Sequence, residues 1–517
     1  MTGASVPRAT GTPAVWPASA EVLAMLLLGA AHSLPFVATW AWPLQLLCVA
    51  LLAWRLGRAT PARAALLGGA FGTAWLTCGV WWLFISMHFY GGLPAWMAAL
   101  AVLLLCAGMA LFLASVGAAF ARFRRGRLAT DTALFAALWL LAELIRGLLF
   151  TGFPWVASGY AHIDSPLATL APWVGAYGIG AAAAALAAAT GLAQPGVTAC
   201  AKAVAAGGGV LALLALLPTA QFTQPTSTMS VALLQGNVPQ NQKFSLEHLP
   251  GALAWTREQL LAARVDLVVG AETVIPLLPH QLDPQWWQPL LEHFRQPGRA
   301  ALVGLPLGDE QRGYTNSAAG ISASTATLPE GFYRYDKHHL VPFGEVIPPG
   351  FKWFVRMMDI PLGDFNRGAL AAPSFEVKGE RIAPNICYED LFGEELAARF
   401  TDAAHAPTIL ANLSNIGWFG QTIAVEQHLH ISRMRTLELQ RPMLRATNTG
   451  ATAVIDHLGQ VTHALAPHTQ GVLLAQVQGR SGGVTPFARW AGAAGLWPLV
   501  GGALLLCLVL ARRREGS

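Results

Sequence analysis

Cys387, in the stretch "IAPNICYEDLF" (residues 382–392), differs in setting from the other five cysteines of this chain. Cys48, Cys78, Cys106, Cys200 and Cys507 lie in or beside long apolar runs, whereas Cys387 has Asn385 before it and Glu389 and Asp390 just behind. A free cysteine commonly serves as a small buried hydrophobe. A polar setting suits a nucleophile instead. Two more groups would complete a chemistry: Glu272, in "VDLVVGAETVIP", and Lys337, in "GFYRYDKHH", each follow an apolar run as Cys387 does. A thiol, a carboxylate to take its proton and an ammonium together suit acyl transfer. The thiolate attacks a carbonyl, with its pKa lowered by the adjacent cation. The carboxylate shuttles the proton. Lys337 and the backbone N–H of Tyr388 are expected to meet the developing oxyanion.

Such groups need a rigid frame. From residue 229 onward, short β-branched apolar runs end in Gly, Asn or a polar residue: "MSVALLQGN", "VDLVVGAE", "AALVGLPLG", "GFYRYDK", "RIAPNICYE", "PTILANLSN", "ATAVIDHLG" and "GVLLAQVQG". These predict strands. Helical patterns lie between several of them, as in "LPGALAWTREQLLAAR", "GEELAARFTDAA" and "AVEQHLHISRMRTLELQ". Near-continuous apolar strands alternating with helices imply helix-covered sheets, an α/β layered domain with reactive groups where strands end.

The remaining sequence reads as membrane. Hydrophobic residues make up 54% of the 517 and charged residues only 12%, against about 25% charged in an ordinary soluble domain. Residues 1–220 carry 14 of the 61 charged side chains. Runs near 20–35, 38–54, 64–86, 95–120, 132–150, 167–193, 203–219 and 491–511 are candidate spanning helices. The first is expected to be retained and not cleaved as a secretion signal, since only Arg8 precedes it and further spans follow. The predicted organisation is thus a seven-helix bundle over 1–220, an α/β domain over 221–488, and a last span with its tail over 489–517.

Loop charge predicts sidedness. Arg55, Arg58 and Arg63 follow the second span, Arg122, Arg124, Arg125 and Arg127 the fourth, and Lys202 the sixth. The intervening loops "VATW", "HFYGGLPA" and "TGFPWVASGYAHIDSP" hold no Lys or Arg. Basic loops stay in the cytoplasm, so both termini are expected there and the α/β domain outside. That domain is slightly acidic, with 20 Lys and Arg against 23 Asp and Glu over 221–490. The chain's net charge of +5 therefore belongs to the membrane part and its Arg-rich tail, and is no nucleic-acid footprint.

The motifs "GAETVIP", "YRYDKHHLVPFGEVIP", "NICYEDLF", "NLSNIGWFG" and "RMRTLELQRPMLRATNTGATAVID" resemble the nitrilase superfamily. With the spans, "RGLLFTGFPW" and "QGNVPQ", the chain is similar over nearly its whole length to the apolipoprotein N-acyltransferases of bacterial inner membranes. The resemblance implies an α-β-β-α sandwich carried on about eight transmembrane helices. It implies Glu272 as general base, Lys337 as transition-state lysine and Cys387 as nucleophile, supported by Glu345, Tyr388 and Glu389. It further implies the last step of lipoprotein maturation. The sn-1 acyl chain of a phospholipid, typically phosphatidylethanolamine, passes to Cys387 as a thioester and then to the α-amine of a diacylglyceryl-cysteine at an apolipoprotein N-terminus. No metal or other cofactor is expected. Two departures stand out. Asn415-Ile416-Gly417-Trp418-Phe419 replaces the family's Asn-Asp-Ala-Trp-Phe, which puts a polar role for that loop in doubt. Gly270-Ala271 precedes Glu272 where relatives often carry Trp-Pro.

Other features carry smaller expectations. The loop 343–358, with Phe351, Trp353, Phe354, Met357 and Met358, is expected to reach the lipid interface, where aromatics settle. Trp353, Trp418 and Phe419 are candidate substrate-binding residues. Glu143 and Arg146 read as an i,i+3 pair locking the bundle, with a lipid head-group contact as the alternative. His428 and His430, two apart on a helix, face different directions and make no metal site. His338 and His339 lie beside Lys337, but the triad already supplies the proton traffic. Two rival activities are a membrane-tethered amidase, in which water resolves the acyl-enzyme, and a transporter, which would leave Cys387 unexplained.

Overall fold

The computed structural model describes residues 18–193, 197–216, 218–347, 350, 351, 353, 357 and 365–512. Arg8, Phe354, Met358, Arg513 and Arg514 lie outside these.

Among the described residues, five helical segments are long and apolar enough to cross a membrane: Ala18–Phe36, Thr39–Leu56, Ala95–Phe123, Leu128–Thr151 and Pro166–Gly191. Two bent pairs raise the number to seven. Pro61–Val80 meets Leu83–Tyr90 at 61°, and Pro486–Ala494 meets Trp497–Ala511 at 89°. The expectation of eight thus becomes five to seven. Ala201–Leu216 is a shorter apolar helix. The expected eighth span breaks at Gly495 (φ +56), so that only Trp497–Ala511 continues as an apolar rod. Small residues set the helix packing: a Cβ at Gly117 would sit 2.3 Å from the Ala64 carbonyl oxygen, so these backbones touch only because there is none. Glu143 and Arg146 are buried in the bundle 3.8 Å apart, and Glu143 also accepts from the Ser158 N–H and hydroxyl. Packing is their structural part.

The second half is a sandwich of two six-stranded sheets. The first has the order β12-β1-β2-β3-β4-β5, formed by β1 (Thr223–Gln235), β2 (Leu267–Val269), β3 (Ala300–Asp309), β4 (Gly313–Ser322), β5 (Tyr333–Asp336) and β12 (Gly471–Gly482). The second has the order β11-β10-β9-β8-β7-β6, formed by β6 (Phe375–Val377), β7 (Glu380–Ile386), β8 (Ile409–Ser414), β9 (Met443–Thr447), β10 (Ala453–Ile455) and β11 (Val461–Ala464). β1-β2-β3 and β7-β8-β9 run parallel, flanked by antiparallel neighbours.

Strand alternation builds three layers of core. Val231 and Leu233 of β1 face Ile409, Ala411 and Leu413 of β8 between the sheets. Ala232 and Leu234 point outward, under Leu260, Trp287 and Phe294 of the helices Leu249–Ala262 and Pro284–Phe294. On the far side Leu410, Met443 and Ile455 meet Phe487 and Ala491 of Pro486–Ala494. Helix, sheet, sheet and helix follow in that order. The bundle continues into this domain without a gap, since Tyr388, Leu391, Phe392, Ile416 and Met434 share one apolar cluster with its helices.

Candidate active site

Three strand ends converge. Glu272 follows β2 and Lys337 follows β5 in one sheet, while Cys387 follows β7 in the facing sheet. Lys337 Nζ lies 3.3 Å from Glu272 Oε1 and 2.9 Å from Glu345 Oε1. Burial pulls this ammonium down, but the two carboxylates outweigh it and hold the pKa above the usual lysine value. Asn316, on β4, donates through Nδ2 to the same oxygens of Glu272 (2.7 Å) and Glu345 (2.6 Å). Two carboxylates are thereby kept together by one cation and one amide. The second oxygen of Glu272 accepts from the Asn415 N–H at 2.9 Å, and that of Glu345 from the Val341 N–H at 2.9 Å.

Cys387 turns out of β7 with φ +52, a left-handed conformation that a non-glycine residue rarely adopts. Burial pushes its thiol up to about 12; the Glu272 charge adds to this, and Lys337, the Ser414 hydroxyl and the Asn415 N–H pull it back. The neighbouring cation does lower the thiol pKa, but the net shift is upward. Desolvation and the Glu272 charge together outweigh the cation, which leaves the resting group a thiol.

Glu389 ties two of these strand ends together. Oε2 accepts from the Ile386 N–H (2.6 Å) and the Tyr335 hydroxyl (2.8 Å), and Oε1 from the His338 N–H (2.7 Å) and the His339 N–H (3.2 Å). The residues before Cys387 and after Lys337 thus hang on one buried carboxylate. Its pKa is raised by burial, against the pull of these donors and of Lys337. Tyr388 donates from its hydroxyl to the Gly152 carbonyl at 2.8 Å. His339 stacks on Phe392 with ring centroids 3.5 Å apart, and its Nε2 lies 2.9 Å from the Thr151 carbonyl. The "TGFPW" loop of the bundle therefore buttresses the turn that carries Cys387.

The aromatic candidates are placed unequally. Phe419 packs 4.3 Å from Trp82 and 6.1 Å from Trp155, centroid to centroid, inside the joint between bundle and sandwich. Trp418 meets Tyr90 edge-on at 5.8 Å. Trp353 is 61% exposed and Phe351 40%, away from the core. His428 and His430 diverge as expected: His430 Nε2 lies 3.1 Å from the Val37 carbonyl, and His428 is fully buried beneath Cys387.

Three contributors are not legible as such in the sequence. Asn316 sits on a strand, "YTNSAAGIS", whose small polar residues do not alternate with apolar ones. Asn415 restores a polar role to the loop that lost its acidic residue, but through its backbone N–H. Lys243, in the "QNQKF" segment after β1, donates to the Glu272 backbone carbonyl at 2.9 Å. Burial lowers its pKa to about 8, against the pull of Glu272 and Cys387. A cleft of about 360 Å³, counting its solvent-facing space, lies beside it, lined by Lys243, Glu272, Thr273 and Asn448.

This sandwich, with a cysteine, a glutamate and a lysine at converging strand ends, is that of a carbon–nitrogen hydrolase, and residues 230–485 match the family described as "Carbon-nitrogen hydrolase". Among solved structures, one that the chain is similar to is the C. elegans NitFhit protein (18% identity, 56% of this chain and 66% of that chain, TM-score 0.36). A carbon-nitrogen hydrolase from Helicobacter pylori G27 is another (16% identity, 53% and 94%, TM-score 0.34). Residues 28–189 match "Apolipoprotein N-acyltransferase N-terminal domain". Over almost the full length the chain is 52% identical to the apolipoprotein N-acyltransferase of Verminephrobacter eiseniae (93% of this chain, 94% of the relative). It is 47% identical to that of Ralstonia nicotianae (95% and 93%). The chain belongs to the apolipoprotein N-acyltransferase family, and it is an acyltransferase.

Proposed function

We propose that this enzyme N-acylates the diacylglyceryl-cysteine at the N-terminus of bacterial apolipoproteins, taking the sn-1 acyl chain of a phospholipid such as phosphatidylethanolamine and carrying it as a thioester on Cys387. The observation that carries this reading is the meeting of Glu272, Lys337 and Cys387 at the end of the sandwich that abuts the membrane bundle.

In the first step Glu272 takes the thiol proton as the sulfur attacks the ester carbonyl. The carbonyl oxygen becomes an oxyanion facing Lys337 and the Tyr388 N–H. The ester C–O bond breaks, and the departing lysophospholipid oxygen receives the proton from Glu272. In the second step the acceptor amine attacks the thioester and passes a proton to Glu272. The C–S bond breaks, and the proton returns to the Cys387 sulfur. Each half-reaction returns the proton that Glu272 took, so the same side chain serves both.

Both substrates are lipids, which gives the bundle its purpose: it holds the site at a leaflet surface. The basic loops support a reading in which that leaflet is on the periplasmic side of the inner membrane and both termini are cytoplasmic. Exposed Trp353 and Phe351 fit a loop that reaches the interface. The test is mass spectrometry of purified protein incubated with phospholipid. A fatty-acyl mass on the 382–392 peptide, released by hydroxylamine and absent from Cys387→Ala, is the expected result. A thiol that never acquires acyl while transfer proceeds would refute it, and fast turnover of small amides without lipid would favour an amidase.

A further inference from the structure

The backbone carbonyl of Cys387 is gripped by a buried polar cluster that the two steps above do not use. His428 places Nε2 3.2 Å from that oxygen, and Asn412 Nδ2 approaches it at 3.4 Å. Arg445, on β9, reaches both holders: 2.9 Å to His428 Nδ1 and 3.2 Å to Asn412 Oδ1. Asp390, 3.5 Å from Arg445, and Ser432, 2.6 Å from it and bonded to Asp390, close the cluster. Asp390, Asn412, His428, Ser432 and Arg445 are each 0% exposed.

The cluster fixes a tautomer. A guanidinium only donates, so His428 Nδ1 is an acceptor and the imidazole proton sits on Nε2, aimed at the Cys387 carbonyl. Burial first, and then the Arg445 charge, hold the imidazole pKa well below its usual value, so it stays neutral. Burying an arginine, an aspartate and a histidine under a single carbonyl is costly unless the geometry it enforces is needed.

That geometry concerns the other end of the same peptide. The Cys387–Tyr388 bond is trans, and in a planar trans peptide the C=O and N–H point in opposite directions. Drawing the oxygen down onto His428 turns the Tyr388 N–H up and out of the cluster. Cys387 is also held at φ +52, a conformation that persists only when its surroundings impose it. We infer that His428, set by Arg445, is a positioning residue that aims the Tyr388 N–H at the oxyanion of the acyl-transfer intermediate; this rests on the Cys387 thioester reading above.

The test compares His428→Asn with His428→Gln in the full-length enzyme. The glutamine amide spans both contacts, its nitrogen reaching the carbonyl and its oxygen serving Arg445. The asparagine amide keeps a partner for Arg445 and stops one bond short of the carbonyl. Two rates are read on the Cys387 peptide: thioester formation from phosphatidylethanolamine micelles, and alkylation by iodoacetamide, a displacement at saturated carbon that forms no oxyanion. Because loss of one oxyanion donor costs about 10²–10³ in kcat, His428→Asn is expected to slow acylation at least about 30-fold with KM unchanged. Alkylation should stay within about twofold, and His428→Gln should recover most of the acylation rate. Acylation and alkylation falling together, or normal acylation in His428→Asn, would overturn the positioning role alone. Failure of the unsubstituted enzyme to acylate Cys387 would overturn the underlying reading, and this inference with it.

Discussion

Replacing Glu389 by Gln preserves the shape of the side chain while removing its charge and one of its two acceptor oxygens. The carboxylate receives four hydrogen bonds, two on each oxygen. An amide turned to its least costly orientation keeps its oxygen on the His338 and His339 N–H groups. Its nitrogen then faces the Ile386 N–H and the Tyr335 hydroxyl; the phenol can rotate and accept, but the amide N–H cannot. One unpaired buried donor costs about 1–3 kcal/mol, and the two remaining bonds lose their charge assistance at about 1 kcal/mol each. Relief of a buried charge offsets part of this, leaving a net loss of about 2–4 kcal/mol. Ile386 precedes Cys387 and His338 follows Lys337, so the strain falls on the spacing of sulfur and ammonium. A misplacement near 1 Å lowers a rate by about 10²-fold. Thioester formation on Cys387, timed in phospholipid micelles, should therefore fall about 10²-fold, with a lower thermal unfolding midpoint in detergent. Glu389→Gln retaining more than half the parent rate at an unchanged midpoint would refute the assignment of Glu389 as the tie between the two strand ends.

Asn316→Asp adds a third carboxylate where one amide now separates Glu272 from Glu345, and thioester formation should drop at least about tenfold, because like charges at this distance disfavour an ionised base. Tyr388→Phe removes only the bond to Gly152, so it should cost about 1 kcal/mol in thermal stability and leave thioester formation within about tenfold of the parent. Alkylation of Cys387 by iodoacetamide should climb without a plateau from pH 7 to pH 10, since a thiol raised to about 12 is still mostly protonated there; a plateau near pH 8 would contradict this. Burial lowers the folded pKa of Lys243 to about 8 from the usual lysine value of 10.5. The unfolded chain then binds more protons between those values, so stability should rise with pH across that window. Lys243→Met should lose this rise, as read from unfolding midpoints at pH 7.5 and 10.

Much of the frame was open to inspection in the sequence, and for local reasons. β1, β3, β7 and β8 are apolar runs bounded by turn residues, and the spans are long apolar stretches between basic loops. Burial in oil or between sheets leaves a compositional trace that needs no partner to be seen. Glu272, Lys337 and Cys387 each stand just past such a run, so their position at strand ends was readable even though their meeting was not. β4, β6, β9 and β11 leave no such trace. β4 is built of small and polar residues, and β6 is three residues long, so neither shows a clear alternation. β9, "MLRAT", carries Arg445, which reads as a solvent-facing residue until the cluster around it is seen.

Tertiary structure alone decided the electrostatics and the aim of the reactive groups. Lys337 pulls the Cys387 thiol down as the sequence suggests, yet burial and the Glu272 charge outweigh it, and that balance depends on three strands from two sheets. His428 looked like an idle helix histidine, because its partners Arg445, Asn412 and the Cys387 carbonyl come from elsewhere in the chain. The docking of Pro486–Ala494 on the sandwich likewise depends on Leu410, Met443 and Ile455, which only the folded sheet gathers. Hydropathy and spacing are properties of neighbours along the chain; pKa, tautomer and peptide orientation are properties of neighbours in space.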